Sequence, residues 1–158
     1  MAHKLTKNSL FFYGLILGVL SPGFIQASQA LEYRSVAVAK AVMVDAPSVN
    51  ANKLYIVGFG YPVEVIVNLG DWLKVRDSQG GLNWVEAKAL AAKRTVLVTV
   101  SHAEIRQSAD ETSSLLGNVD KDVVLDLLEP NTKSGWLKVR HRDGVTGYIF
   151  NTNVWGAN

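Results

Sequence analysis

Beyond residue 30, the side chains that could do chemistry are two histidines, two tryptophans flanked by cations, and a scatter of carboxylates. Nucleophilic hydrolysis needs a serine, threonine or cysteine beside a base, and a third group to orient that base. Cysteine is absent, which removes thiol nucleophiles, disulfides and Cys-ligated zinc together. His102 stands beside Ser101 and near Glu104, but the three are neighbours on one extended run, where successive side chains point to opposite faces. His141 lies between Arg140 and Arg142, whose charges disfavour its protonated form. An exposed hairpin position suits it better than a relay. The acids Asp120, Asp122, Asp126 and Glu129 lack the glycine and terminal glutamate of a calcium loop. Asp110-Glu111 reads as a turn, and charges on strand edges, which discourage aggregation, account for the other acids. The chain therefore reads as a non-enzyme with no metal and no cofactor.

The aromatic residues offer binding chemistry instead. In Trp72-Leu73-Lys74-Val75-Arg76, an extended backbone sends Leu73 and Val75 one way and Trp72, Lys74 and Arg76 the other. Trp136, Lys138 and Arg140 repeat the arrangement, with Tyr148 following on the next strand. An outward tryptophan among cations has the composition of a recognition surface, since the ring supplies area and the cations grip carboxylates. A tryptophan at the rim of a small domain equally serves to cap the core or to pack on a second copy, and both roles stay open. Tyr55, Phe59 and Tyr61 form a second cluster, where the later half has Leu116, Asn118 and Val119. Tyr61-Pro62 also reads as a rigid turn entering a strand. Trp155 is expected to seal the end of the second half.

The elements that must position these residues come in duplicate. Trp72-Leu-Lys-Val-Arg76 returns letter for letter as Trp136-Leu-Lys-Val-Arg140, 64 residues later. Trp84-Val85 faces Tyr148-Ile149 at the same offset, and Val63-Glu64-Val65-Ile66 aligns with Val123-Val124-Leu125-Asp126. Such a period is too long for a solenoid unit and suits two copies of one small domain. The apolar residues recur with period two, and runs such as Val96-Leu97-Val98-Thr99-Val100 are rich in β-branched side chains. Turn signals punctuate them at Asn68-Leu-Gly70-Asp71, Ser78-Gln-Gly80-Gly81, Pro130-Asn131, Ser134-Gly135 and Arg142-Asp143-Gly144. The expected fold is all-β: two tandem small barrels of about five short strands each. Ala87 to Arg94 supplies a helical turn and then the junction, with no flexible spacer to separate the copies.

Residues 1–30 read as a secretory signal peptide, with basic Lys4 and Lys7, an uncharged apolar run from Leu10 to Leu20, and small residues at Ser28 and Ala30. Cleavage is expected after Ala30, with Ala27 as the alternative. The apolar run is short against the roughly 20 residues of a spanning helix, so no membrane span is expected after cleavage. The divisions are then 1–30 for the leader, 31–94 for the first domain and 95–158 for the second, in a periplasmic protein. Loss of the two leader lysines takes the 16 basic groups to 14, equal to the 14 acidic ones. No dense basic face remains for a phosphate backbone, which excludes nucleic acid as the partner.

The order of these motifs resembles a tandem pair of bacterial SH3-like (SH3b) domains. In the second copy the resemblance rests on Ile105-Arg106-Gln107-Ser108, Gly135-Trp136-Leu137-Lys138-Val139-Arg140, Asp143-Gly144 and Gly147-Tyr148-Ile149. The first copy departs at Val44-Asp45-Ala46-Pro47, where the family usually has an arginine, and at Asn83, which replaces a glycine. With Gly58-Phe59-Gly60-Tyr61-Pro62-Val63-Glu64-Val65, the pattern looks closest to two-SH3-domain exported proteins of Gram-negative bacteria, a group of unknown function. The resemblance spans residues 36 to 155. It implies a non-catalytic binding module, since SH3b domains often accompany cell-wall hydrolases and engage peptidoglycan peptides, whereas others are interaction or targeting units. Fold alone does not choose between these. The expected partner is peptidoglycan or an envelope peptide; the alternative is an adaptor docking an envelope enzyme or secretion component. The candidate ligand-binding residues are Trp72, Lys74, Arg76, Tyr55, Phe59, Tyr61, Trp136, Lys138, Arg140 and Tyr148.

Overall fold

The computed structural model describes residues 31–129 and 134–157. The leader expected over residues 1–30 and the turn at Pro130-Asn131 lie outside them. Alternating burial builds two antiparallel sheets of seven strands each. The first contains β1 (Glu32–Val36), β2 (Lys40–Val44), β3 (Lys53–Gly58), β4 (Pro62–Asn68), β5 (Trp72–Arg76), β6 (Leu82–Glu86) and β7 (Leu90–Ala91), in the order β3-β2-β6-β5-β4-β1-β7. The second contains β8 (Thr95–Val98), β9 (His102–Arg106), β10 (Leu115–Asp120), β11 (Val124–Glu129), β12 (Trp136–Arg140), β13 (Thr146–Phe150) and β14 (Val154–Trp155), in the order β10-β9-β13-β12-β11-β8-β14. Each sheet thus has two strands more than the motif count suggested. The additions include the two-residue strands β7, paired with β1, and β14, paired with β8. The helix-leaning stretch resolves into one 3-10 turn, Ala87–Ala89, matched by Asn151–Asn153 in the second sheet. Among the described residues no helix is long and apolar enough to cross a membrane.

Strand pairing defines which residues are equivalent. Glu64 lies opposite Arg76, and Asp126 lies opposite Arg140. Glu64 therefore corresponds to Asp126, not to Val124 as the sequence alignment had it. Gly60 and Asp122 confirm the corrected register: both adopt a positive φ (80° and 67°), and each N–H donates to an equivalent carbonyl, Val36 O at 2.8 Å and Val98 O at 2.9 Å. The shift is by two residues, so every side chain keeps its face.

Each copy has its own core. Met43, Val63, Leu73, Val75 and Val85 fill the first, and Val96, Ile105, Leu125, Val139 and Ile149 fill the second. The copies are joined by specific contacts. The Thr95 hydroxyl donates to Gly60 O at 2.6 Å, the Ser35 hydroxyl donates to Lys93 O at 2.7 Å, and the two hydroxyl oxygens lie 2.6 Å apart. The Arg94 guanidinium donates to the carbonyls of Gly156 (2.9 Å) and Ala157 (3.1 Å) and lies 5.1 Å from the centre of the Tyr33 ring. Trp155 meets the same ring edge to face, with 5.5 Å between centroids. Its ring therefore packs on the first copy, while its backbone pairs with Leu97 at the edge of the second sheet.

Candidate functional site

The Trp-Leu-Lys-Val-Arg strand occurs as β5 and as β12, and in both the expected alternation holds. Leu73, Val75, Leu137 and Val139 are buried, and the lysines and arginines are at least partly exposed. The tryptophans differ. Trp136 is 7% exposed and stands opposite Phe150 of β13, with the rings edge to face and 5.2 Å between centroids. The outward placement expected of Trp136 is therefore corrected, because a large apolar neighbour lets it bury its whole ring. Trp72 has Glu86 at the equivalent place. It stays half-buried and borders a groove of about 360 Å³.

That groove is shared with Lys40, Lys53, Lys88 and Val49. Lys88 meets Glu86 at 3.1 Å. Among the described residues, neither Lys40 nor Lys53 has a carboxylate within ion-pair distance. Sequence reasoning missed these lysines because no spacing along the chain marks them. They reach the groove because β2 and β6 lie beside each other in the sheet, as do β6 and β5.

The cations expected to flank the tryptophans are engaged elsewhere. Lys74 Nζ lies 5.9 Å from the centre of the Trp84 ring. Arg76 donates to the buried Glu64 at 2.7 Å, Lys138 to Glu129 at 3.0 Å, and Arg140 to Asp126 at 3.1 Å. The hydrogen bond and charge of Glu129 raise the pKa of Lys138. Asp126 also meets Lys93 at 2.6 Å. Burial opposes its ionisation, but hydrogen bonds and charges from Lys93 and Arg140 outweigh this and hold its carboxyl below the usual range. Tyr148 is half-buried, opposite Lys138 on one side and Arg106 on the other.

The second aromatic cluster separates. Tyr55 Oη donates to Asp77 Oδ2 at 2.5 Å and accepts from Asn83 Nδ2 at 2.6 Å. Asp77 Oδ1 accepts from the backbone N–H groups of Gln79 (2.9 Å) and Gly81 (2.8 Å). Tyr61 Oη is bonded to Ser78 Oγ at 2.8 Å. Both phenols thus clamp the β5–β6 hairpin. Burial first, then the hydrogen bond and charge of Asp77, hold the Tyr55 pKa far above the ordinary phenol range. Phe59 takes no part in this clamp. It is 64% exposed and, with Arg140, borders a cleft of about 850 Å³ between the two copies. The ten candidates therefore do not form one surface. Trp72 borders its groove, Tyr55 and Tyr61 clamp the hairpin, Phe59 and Arg140 border the inter-copy cleft, and Arg76 and Lys138 join cross-strand ion pairs. Lys74 lies over Trp84, Trp136 is buried on Phe150, and Tyr148 lies between Lys138 and Arg106.

The histidines have carboxylate neighbours. His102 Nδ1 lies 2.8 Å from Asp120 across β9 and β10, with both side chains mostly exposed, while Glu104 pairs with Arg106. His141 Nδ1 lies 2.9 Å from Asp143. Among the described residues, no three His, Asp or Glu side chains gather as a metal would need.

A family model described as "Bacterial SH3 domain" matches the chain twice, over residues 37–91 and 99–156. No curated protein matches it. Among solved structures, the chain is similar to NlpC2 from Trichomonas vaginalis at 16% identity and a TM-score of 0.37, covering 81% of this chain and 49% of that one. NlpC1 from the same organism gives 17% identity and a TM-score of 0.37, with 90% and 50% covered. An NlpC/P60 family protein from Bacillus cereus ATCC 10987 gives 21% and 0.35, with 77% and 55% covered. The chain spans about half the length of these solved chains. Likeness at this level carries no statement about ligand or activity.

Proposed function

The chain belongs to the bacterial SH3 domain family in both of its halves, and on that premise we propose that it is a non-catalytic binding module of the periplasm. Its ligand is peptidoglycan or a peptide of the envelope. The observation that carries this reading is the Trp72 groove. A half-exposed indole and the exposed Val49 supply apolar area, while Lys40 and Lys53 supply cations with no carboxylate in ion-pair distance among the described residues. Sugars stack on such rings, and stem-peptide carboxylates suit such cations. The leader expected over residues 1–30 would deliver the module to that compartment. Co-sedimentation of the protein with purified peptidoglycan tests the proposal. The protein should pellet with the sacculi, and Trp72→Ala should release it to the supernatant while remaining folded by circular dichroism. Absence of the unmodified protein from the pellet would sink this reading.

A second reading, a periplasmic adaptor, draws on β3. This strand lies at a sheet edge and exposes Leu54 and Ile56, an arrangement open to pairing with an extended partner. An adaptor would stay in the supernatant with sacculi and crosslink to a protein instead.

A further inference from the structure

The cleft between the copies has a composition that neither copy has alone. Its floor is the junction itself, where Gly60 meets Val124; a Cβ built on Gly60 would lie 3.1 Å from Val124 Cγ1, so the glycine sets the close approach. The exposed Phe59 ring comes from the first copy and Lys93 from the junction, while the second copy supplies Arg140 and Arg142 together with the acids Asp122 and Asp126. By the register of the sheets, Phe59 is matched by Lys121 and Arg142 by Ser78, so duplication did not create this site twice. Asp126 occupies part of the charge of Lys93 and Arg140, at 2.6 and 3.1 Å. Arg142 is exposed and has no carboxylate within ion-pair distance among the described residues. A volume of about 850 Å³ is that of a small-molecule or short-peptide site.

We infer that this cleft is a composite site for a carboxylate-bearing peptide, with its carboxylate on Arg142 and an apolar side chain on Phe59. A guanidinium fits a carboxylate with two parallel hydrogen bonds, and the pairing strengthens over an apolar floor that excludes water. This inference rests on the envelope-binding reading above, which makes the stem peptide of peptidoglycan the ligand.

Muropeptides released from purified peptidoglycan by a muramidase, titrated into the protein by calorimetry, test it. Arg142→Ala should weaken binding by on the order of tenfold, as expected for the loss of one charge-assisted pair. Phe59→Ala should weaken it several-fold, and amidation of the muropeptide carboxyls at least as much as Arg142→Ala. Both side chains are exposed and outside the cores, so these variants keep their fold. Equal affinity for free and amidated muropeptides would overturn the composite site. So would unchanged affinity in both variants with binding lost in Trp72→Ala, a result that leaves wall binding standing and confines it to the first copy. Binding to neither muropeptides nor sacculi would remove both readings.

Discussion

The two copies share a five-residue strand, yet its first residue has two different fates. Trp136 is a core residue and Trp72 a groove residue, and the residue across the sheet decides which: Phe150 in one case, Glu86 in the other. The hairpins diverge in the same way. In the first copy Tyr55, Asp77 and Asn83 form a closed hydrogen-bond network. The sheet register places Gly117, His141 and Gly147 at those positions in the second copy, so every member of the network is missing there. Gly147 could not carry an asparagine, since a Cβ would sit 2.5 Å from Arg106 O. The cross-strand pair of acid and arginine, by contrast, occurs in both, as Glu64–Arg76 and Asp126–Arg140. Strand and ion pair repeat the fold, and the hairpins and the residue facing each tryptophan carry what differs.

The largest expected effect breaks this comparison at the tryptophans. Trp136→Ala removes a buried ring and its edge-to-face partner, and should cost about 3–5 kcal/mol. Trp72→Ala empties a position already open to solvent and should cost about 1 kcal/mol. Urea denaturation of the two variants measures the difference, and similar losses would mean that Trp72 is as much a core residue as Trp136. The converse substitution, Glu86→Phe, supplies the missing partner. It should cover Trp72, shift tryptophan emission to shorter wavelength and abolish sacculus binding.

The hairpins give the next effect. Asp77→Ala leaves the Tyr55 hydroxyl and the N–H groups of Gln79 and Gly81 without their acceptor, while the Asn83 amide keeps only Tyr55 Oη. Tyr55, Gln79 and Gly81 are exposed, so water takes over part of what Asp77 accepted, and the loss should be about 1–3 kcal/mol. His141→Ala loses one half-exposed contact to Asp143 and should stay within about 1 kcal/mol. Hydrogen exchange should place the Asp77→Ala loss in residues 53–86 and leave the second copy protected.

Much of this was legible in the sequence, and what was not has a physical reason. The strand repeat, the period-two burial and the two-copy organisation all follow from local patterning, which is why the Bacterial SH3 match and the all-β architecture agree with it. The alignment of Val63–Ile66 with Val123–Asp126 was off by two, because a shift of two leaves every face unchanged and only the cross-strand partner reveals it. Phe150 on Trp136, the Lys40 and Lys53 walls of the groove, and Trp155 on Tyr33 are contacts across the sheet or between copies. Alternation states that Trp136 leaves the face of Leu137, but not what awaits it there.

The smallest effect separates the copies by pH. Tyr55 is held as the neutral phenol by burial and by the bond it donates to Asp77, so its folded pKa lies above that of the unfolded chain. Below the unfolded value of about 10 the full contribution of this group is present. Above it the unfolded chain releases the phenolic proton while the folded chain keeps it, and stability falls until the folded phenol also ionises. The urea midpoint should therefore drop between pH 8 and pH 10.5 by more in the unmodified protein than in Tyr55→Phe. Tyr33, raised by burial and by Glu64, titrates in both proteins and cancels in the difference. Parallel pH profiles would mean that the clamp is not closed in solution, and the contrast between the hairpins would then rest on Asp77 and its backbone donors alone. Where the loss does occur, hydrogen exchange should confine it to the first copy, since the second has Gly117 in place of Tyr55 and so lacks the clamp.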